Sequence, residues 1–197
     1  MKRPVAVAIT GGIGAGKSEA LAAFARLGAA TVSSDEIVHH LLRSDEAVKG
    51  AITAQLGDEV LDEEGGVDRS KVAAKVFADR KQLAWLESLL HPLVSSEYLT
   101  WREQLAQLPN PPEVCATEVP LLFESGAQKN FDAVVVITAP ENVRRQRTHV
   151  PLDQRSGRLI PDEEKLRQAD YAYVNDGTRR ELEAFVSSVL EDLRARS

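Results

Sequence analysis

Apolar residues along this chain follow two rhythms. Short continuous runs rich in Val, Ile and Ala occur at Val5 to Ile9, Ala30 to Ser33, Val114 to Val119 and Ala133 to Thr138. Runs of that length and β-branched content suit strands buried on both faces. Between them the apolar spacing changes to three and four, as an amphipathic helix requires. Leu21, Phe24 and Leu27 lie one turn apart, with Gly28 placed to cap the end. Ala47, Val48, Ala51, Ile52 and Leu56 form a stripe ending at Gly57. Leu83, Leu86, Leu89 and Leu90 form another, predicted to stop at His91-Pro92, and Val94, Tyr98, Trp101, Leu105 and Leu108 a third. Thr138 and Glu141 have capping-box spacing, with Pro140 in the first turn. So do Thr178 and Glu181, ahead of the stripe Leu182, Phe185, Val186, Val189, Leu190 and Leu193. Strands alternating with helices predict an α/β fold around a parallel sheet. From Ile37 to Leu108 no core strand is legible; that interval reads as a helical insertion, with a glycine turn at Leu61 to Val67.

The junction between the first strand and the first helix carries chemistry. Gly11-Gly12-Ile13-Gly14-Ala15-Gly16-Lys17-Ser18 fits G-x-x-x-x-G-K-[ST]. Glycines let backbone N–H groups turn inward without a Cβ clash, and the helix N-terminus adds its positive dipole. The motif predicts a nucleoside triphosphate held by Gly12, Ile13, Gly14, Ala15 and Gly16. Lys17 would reach the β- and γ-phosphates, and the Ser18 hydroxyl would hold Mg²⁺.

Phosphoryl transfer also needs charge neutralisation, alignment and a group near the attacking oxygen. Asp35 follows the second strand, at the edge where parallel sheets gather ligands, and so near the P-loop. It could take a proton from an acceptor hydroxyl, hold Mg²⁺ through water, or simply favour a helix N-terminus. Glu118 ends the third strand before Pro120; it is either a magnesium-directed acid or a surface acid at a strand end. Arg144, Arg145, Arg147, Arg155 and Arg158 follow the last core strand that the pattern reveals. Together they suit a lid that clamps a triphosphate, and singly a solvated face. His91 either caps a helix end or touches a substrate.

Composition narrows the setting. The 197 residues allow one large domain or a core with insertions. A net charge of −6 argues against a nucleic-acid-binding face. Cys115 is the one cysteine, which excludes an intramolecular disulfide; its place in a strand predicts a buried, inert thiol. Met1-Lys2-Arg3 before an apolar run imitates a leader, but that run is short and enters the glycine loop. No segment approaches the ~18 apolar residues of a membrane span. The expectation is a cytoplasmic enzyme without nucleic-acid or membrane partners.

Several segments resemble the dephospho-coenzyme A kinases. Thr10 to Ser18 is nearly that family's P-loop. Leu56 to Asp62 with Gly66 to Arg69 is similar to its LG-x-x-(I/V)-L-D…G-x-(I/L/V)-(D/N)-R segment. Leu90-His91-Pro92 and Pro120-Leu121-Leu122-Phe123-Glu124 match its LHP and PLLFE. Glu163-Glu164-Lys165, Ala169-Asp170 and Asn175-Asp176-Gly177 resemble its tail. The resemblance implies transfer of the ATP γ-phosphate to the ribose 3′-hydroxyl of dephospho-CoA, with ATP and Mg²⁺ as cofactors. It implies Asp35, Lys17, Arg144 and Arg155 as catalytic residues, and Asn175 near the adenine. It moves Asp35, His91, Pro120, Leu121 and Leu122 towards the acceptor, and leaves Ser18 and Glu118 for the metal. It also implies a three-layer P-loop NTPase core over about 1–36, 112–140 and 170–197. A helical CoA-binding part would cover about 37–111 and a lid about 141–169. The chain is expected to be a monomer or weak homo-oligomer. Departures from the family pattern are Ser33 for its first acid, His39 for its arginine, Leu159 for a lid glutamine, and Glu19 after the P-loop serine. The rival readings are another P-loop nucleoside or nucleotide kinase, a GTPase-type switch, and a binder that has lost catalysis. The switch would need N-K-x-D, which the chain lacks.

Overall fold

β1 (Val5–Thr10) lies at the centre of a parallel five-stranded sheet in the order β2-β3-β1-β4-β5. β2 is Ala30–Ser33, β3 Val114–Glu118, β4 Ala133–Thr138 and β5 Tyr171–Val174. The computed structural model describes residues 3–148 and 160–196. It divides into two compact units, one of Met1–Ser33 with Thr100–Ser197 and the other Ser34–Leu99.

In the first unit the sheet separates two apolar layers because strand side chains alternate in direction. Val7, Ile9, Val135 and Ile137 point to one side. There they pack with Phe24 of α1 (Lys17–Arg26) and with Leu182, Val186, Val189 and Leu190 of the C-terminal helix Arg179–Ala195. Ala8, Val134 and Val136 point to the other side and meet Val119, Leu122, Phe123 and Ala127. The C-terminal helix starts with the Thr178–Glu181 capping box, both bonds present. Cys115 is buried, and desolvation pushes its thiol up to about 11.

The second unit is helical. It contains α2 (Ser34–Ser44), α3 (Glu46–Leu56), α4 (Arg69–Ala78) and the first part of α5 (Arg80–Ala106). Asp45 and Asp68 cap α3 and α4, each carboxylate accepting two backbone N–H bonds. Leu42, Val48, Ile52, Val60, Val72, Val76 and Leu90 form its core. Between α3 and α4 the chain makes only an isolated bridge, Leu61 to Val67, around the glycine turn.

Three expectations change. The helix predicted to end at His91-Pro92 continues as α5 through Pro92. An interior proline costs ~3 kcal/mol. Leu90, Val94 and Tyr98 are buried at four-residue spacing across it, and each contributes about 1.5–3 kcal/mol, so burial wins. Ser88, whose carbonyl loses its partner, is exposed to water. The helix after β4 has no Thr138 cap. Thr138 stays in the sheet, its carbonyl accepting Asn175 N–H at 2.7 Å, and Pro140 takes the cap position of α6 (Glu141–Arg147). β4 is not the last strand: β5 pairs beside it, with side chains alternately half-buried and exposed as on a sheet edge.

One buried ion pair ties the far layer together. Lys165 lies in α7 (Asp162–Arg167), is 1% exposed, and holds Glu124 at 2.9 Å. The same Glu124 oxygen accepts Ile160 N–H at 3.0 Å. Removing one member of such a pair strands a buried charge. Lys165→Ala is therefore expected to lower unfolding stability by about 3–5 kcal/mol in denaturant titration, and Lys165→Ala with Glu124→Leu by clearly less than the sum of the singles.

Candidate active site

The glycine loop leaves the carboxyl end of β1 under tight geometric limits. Gly11 has φ 144°, and a Cβ there would stand 1.9 Å from the Ile137 carbonyl oxygen of β4. Gly14 and Gly16 lie at φ 73° and 99°, conformations that side chains resist. Left-handed glycines between ordinary residues turn successive N–H groups into one concavity, an anion nest that runs into the first turn of α1.

Two charged side chains meet at the floor of this loop. Lys17 Nζ donates to Gly12 O at 3.1 Å and lies 4.0 Å from Glu118 Oε1. Ser18 Oγ donates to Glu118 Oε2 at 3.0 Å. Glu118 is only 6% exposed. Strand register explains the meeting: Glu118 pairs with Ile9 on one side and with Ser33 on the other. The hydroxyl and carboxylate supply hard oxygen donors of the type magnesium prefers, and the serine keeps its lone pairs while donating its proton. The residues present therefore fit the ion.

The loop's flank is held by α6 and the end of β5. Arg144 Nε donates to Ile13 O at 2.8 Å, and the same guanidinium reaches Asp162 at 3.0 Å. A Cβ on Gly12 would stand 2.9 Å from that guanidinium. Asn175, 6% exposed, donates Nδ2 to Ala15 O at 2.8 Å. Its own carbonyl accepts from Arg147 at 2.9 Å. Arg145 pairs with Glu141 on the exposed side of α6.

The other expected site residues lie on other elements of the chain. Asp35 is the second residue of α2, and its carboxylate is 69% exposed and 3.9 Å from Arg69. β3 stands between β1 and β2, so the ends of those two strands are about 10 Å apart and are not neighbours. His91 sits half-buried inside α5. Pro120 and Leu121 are half-buried in the turn after β3, a short distance in sequence from Glu118. Leu122 is corrected: it is fully buried in the core layer beneath the sheet and offers no surface to an acceptor. Arg155 and Arg158, with Leu159, lie outside the described residues. Asp162 was not singled out in the sequence. Its only local signal is a helix N-terminal acid following Pro161, whereas its partner Arg144 is 18 residues away.

Comparison with known proteins converges on one family. A family model described as dephospho-CoA kinase matches residues 5–181. A dephospho-CoA kinase of Chlamydia pneumoniae is 39% identical over 189 residues, covering 92% of this chain and 93% of that one. One of Protochlamydia amoebophila is 36% identical, covering 95% and 96%. The solved dephospho-CoA kinase from Campylobacter jejuni superposes with a TM-score of 0.71 at 26% identity, covering 96% of this chain and 97% of that one.

The loop's limits make one substitution decisive. Ala at Gly16 would need a left-handed backbone and would place its Cβ 2.2 Å from Asn175 Nδ2. Strain of 1–2 kcal/mol from the backbone alone corresponds to roughly tenfold. Gly16→Ala is expected to weaken nucleotide binding by about tenfold or more in calorimetric titration, with helix content by circular dichroism unchanged.

Proposed function

The chain belongs to the dephospho-CoA kinase family, and we propose that its residues divide that family's reaction as follows. The P-loop amides and Lys17 hold the triphosphate of ATP. Ser18 holds Mg²⁺, with Glu118 orienting the hydroxyl or acting through a water; the ion, when bound, neutralises charge on the β- and γ-phosphate oxygens. Asp35 orients the ribose 3′-hydroxyl of dephospho-CoA and takes its proton. His91, Pro120 and Leu121 contribute to acceptor binding. Arg144, with Arg155, neutralises the transferring phosphoryl group.

The observation that carries this reading is the meeting of Lys17 and Ser18 with the buried Glu118 carboxylate at the foot of a glycine nest. A hydroxyl bonded to a carboxylate at 3.0 Å, with a cation 4.0 Å from the same carboxylate, serves a metal-bound polyphosphate. Asp35 has the support of chain position, just beyond the carboxyl end of β2, where parallel sheets collect ligands. Its carboxylate lies at the surface, 3.9 Å from Arg69. The compartment follows the same reading. A buried thiol suits a reducing cytoplasm, and among the described residues no helix is long and apolar enough to cross a membrane. We take the chain to act as a monomer or weak homo-oligomer.

A coupled ADP-release assay tests the assignment. Wild-type protein is expected to turn over with dephospho-CoA and not with nucleosides or nucleoside monophosphates. Asp35→Asn is expected to lose about 10²–10⁴-fold in kcat, the usual contribution of a general base, with ATP affinity retained. An unchanged rate removes Asp35 from the mechanism; turnover on nucleosides alone replaces the substrate.

A further inference from the structure

The two flank contacts fall on alternate peptide groups of the glycine loop. Arg144 Nε binds the carbonyl of Ile13, and Asn175 Nδ2 binds the carbonyl of Ala15. In a trans peptide the carbonyl of one residue and the N–H of the next point in opposite directions within one plane. No peptide bond among the described residues is cis. A carbonyl drawn outward to Arg144 therefore turns the Gly14 N–H inward, and one drawn outward to Asn175 does the same for Gly16. Neither N–H donates to another backbone carbonyl among the described residues.

We infer that Arg144 and Asn175 are positioning residues for the phosphate cradle: they set the 13–14 and 15–16 peptide planes so that the Gly14 and Gly16 amides face the triphosphate. This rests on the reading of the loop as that cradle. It gives Asn175 a role towards phosphate rather than base, because its amide nitrogen is spent on the loop and its side chain is buried.

Three further contacts make the brace specific. Asn175 N–H is anchored on Thr138 O at 2.7 Å, which fixes its backbone to the end of β4. Arg147 donates to the Asn175 carbonyl at 2.9 Å, linking α6 to the same point. Asp162 holds the Arg144 guanidinium from its other side at 3.0 Å. The two braces thus share a frame, and the glycine positions make room for it. A Cβ at Gly12 or Gly14 would strike Arg144, and one at Gly16 would strike Asn175. Preset donors lose no reorganisation energy when charge arrives, which is the physical advantage of fixing them in advance.

Competition against a fluorescent ATP analogue, using ATP and inorganic tripolyphosphate, separates a brace from a base reader. Tripolyphosphate has no base, so it reports the cradle alone. Asn175→Ala is expected to weaken ATP and tripolyphosphate by the same factor, about tenfold, and Arg144→Lys to do likewise, with thermal unfolding recorded for each. Loss of ATP affinity with tripolyphosphate unaffected overturns the inference and returns Asn175 to the adenine; unchanged binding of both overturns it as well. Wild-type protein that binds neither ligand overturns the cradle reading itself, a result distinguishable from failure of the brace. Should a variant not fold, wild-type amide NMR decides: the Gly14 and Gly16 resonances are expected to move downfield on adding tripolyphosphate, and stationary resonances contradict the inference.

Discussion

The site depends on how closely β1 and β4 approach at their carboxyl ends. The backbone of Gly11 lies so near the Ile137 carbonyl that no side chain fits between them. That closeness lets the chain leave β1, turn through four glycines and enter α1 within a few residues. It also brings the end of β4, and with it Asn175 and α6, against the loop. A wider sheet at this point would leave the loop without walls, and its amides would be solvated rather than aimed. Parallel pairing on the other side of β1 fixes the acid: Glu118 reaches Ser18 because it lies in register with Ile9.

Charge at this edge is arranged in layers. The floor holds Lys17 against a buried carboxylate and a carbonyl. The flank holds Arg144 between a carbonyl and Asp162. Each cation is oriented by oxygens of the protein. An arginine with a neutral carbonyl on one side and an acid on the other keeps its direction at modest electrostatic cost, since the pair is only partly buried. The ion pair of Lys165 and Glu124 is different in kind. Lys165 is almost wholly buried, and the pair secures α7, whose first residue is Asp162. Stability of the far layer and orientation of Arg144 are thus connected through one short helix.

Local features were legible in the sequence and paired features were not. The glycine loop, its flanking strand and helix, and the Thr178–Glu181 cap depend on residues close together in the chain. The bracing contacts join residues far apart: Arg144 to Ile13 across 131 positions and Asn175 to Ala15 across 160. Nothing in the pattern around Asn175 distinguishes an asparagine that binds a loop carbonyl from one that reads a base. β5 escaped because Tyr171 to Val174 is short and half exposed, unlike the continuous apolar runs of β1 and β4. Pro92 misled because its local rule is strong, and only the stripe of Leu90, Val94 and Tyr98 on both sides outweighs it. The motif PLLFE does not reveal the direction of each side chain. Leu122 faces the core, and Glu124 faces Lys165.

A crystal structure with a non-hydrolysable ATP analogue and magnesium tests the central claim most directly. The account predicts the β-phosphate within hydrogen-bonding distance of the Gly14 and Gly16 amides and Lys17, the metal on Ser18, and the Ile13 and Ala15 carbonyls still turned towards Arg144 and Asn175. An analogue seated away from the loop, or carbonyls rotated inward beneath the phosphates, would contradict it.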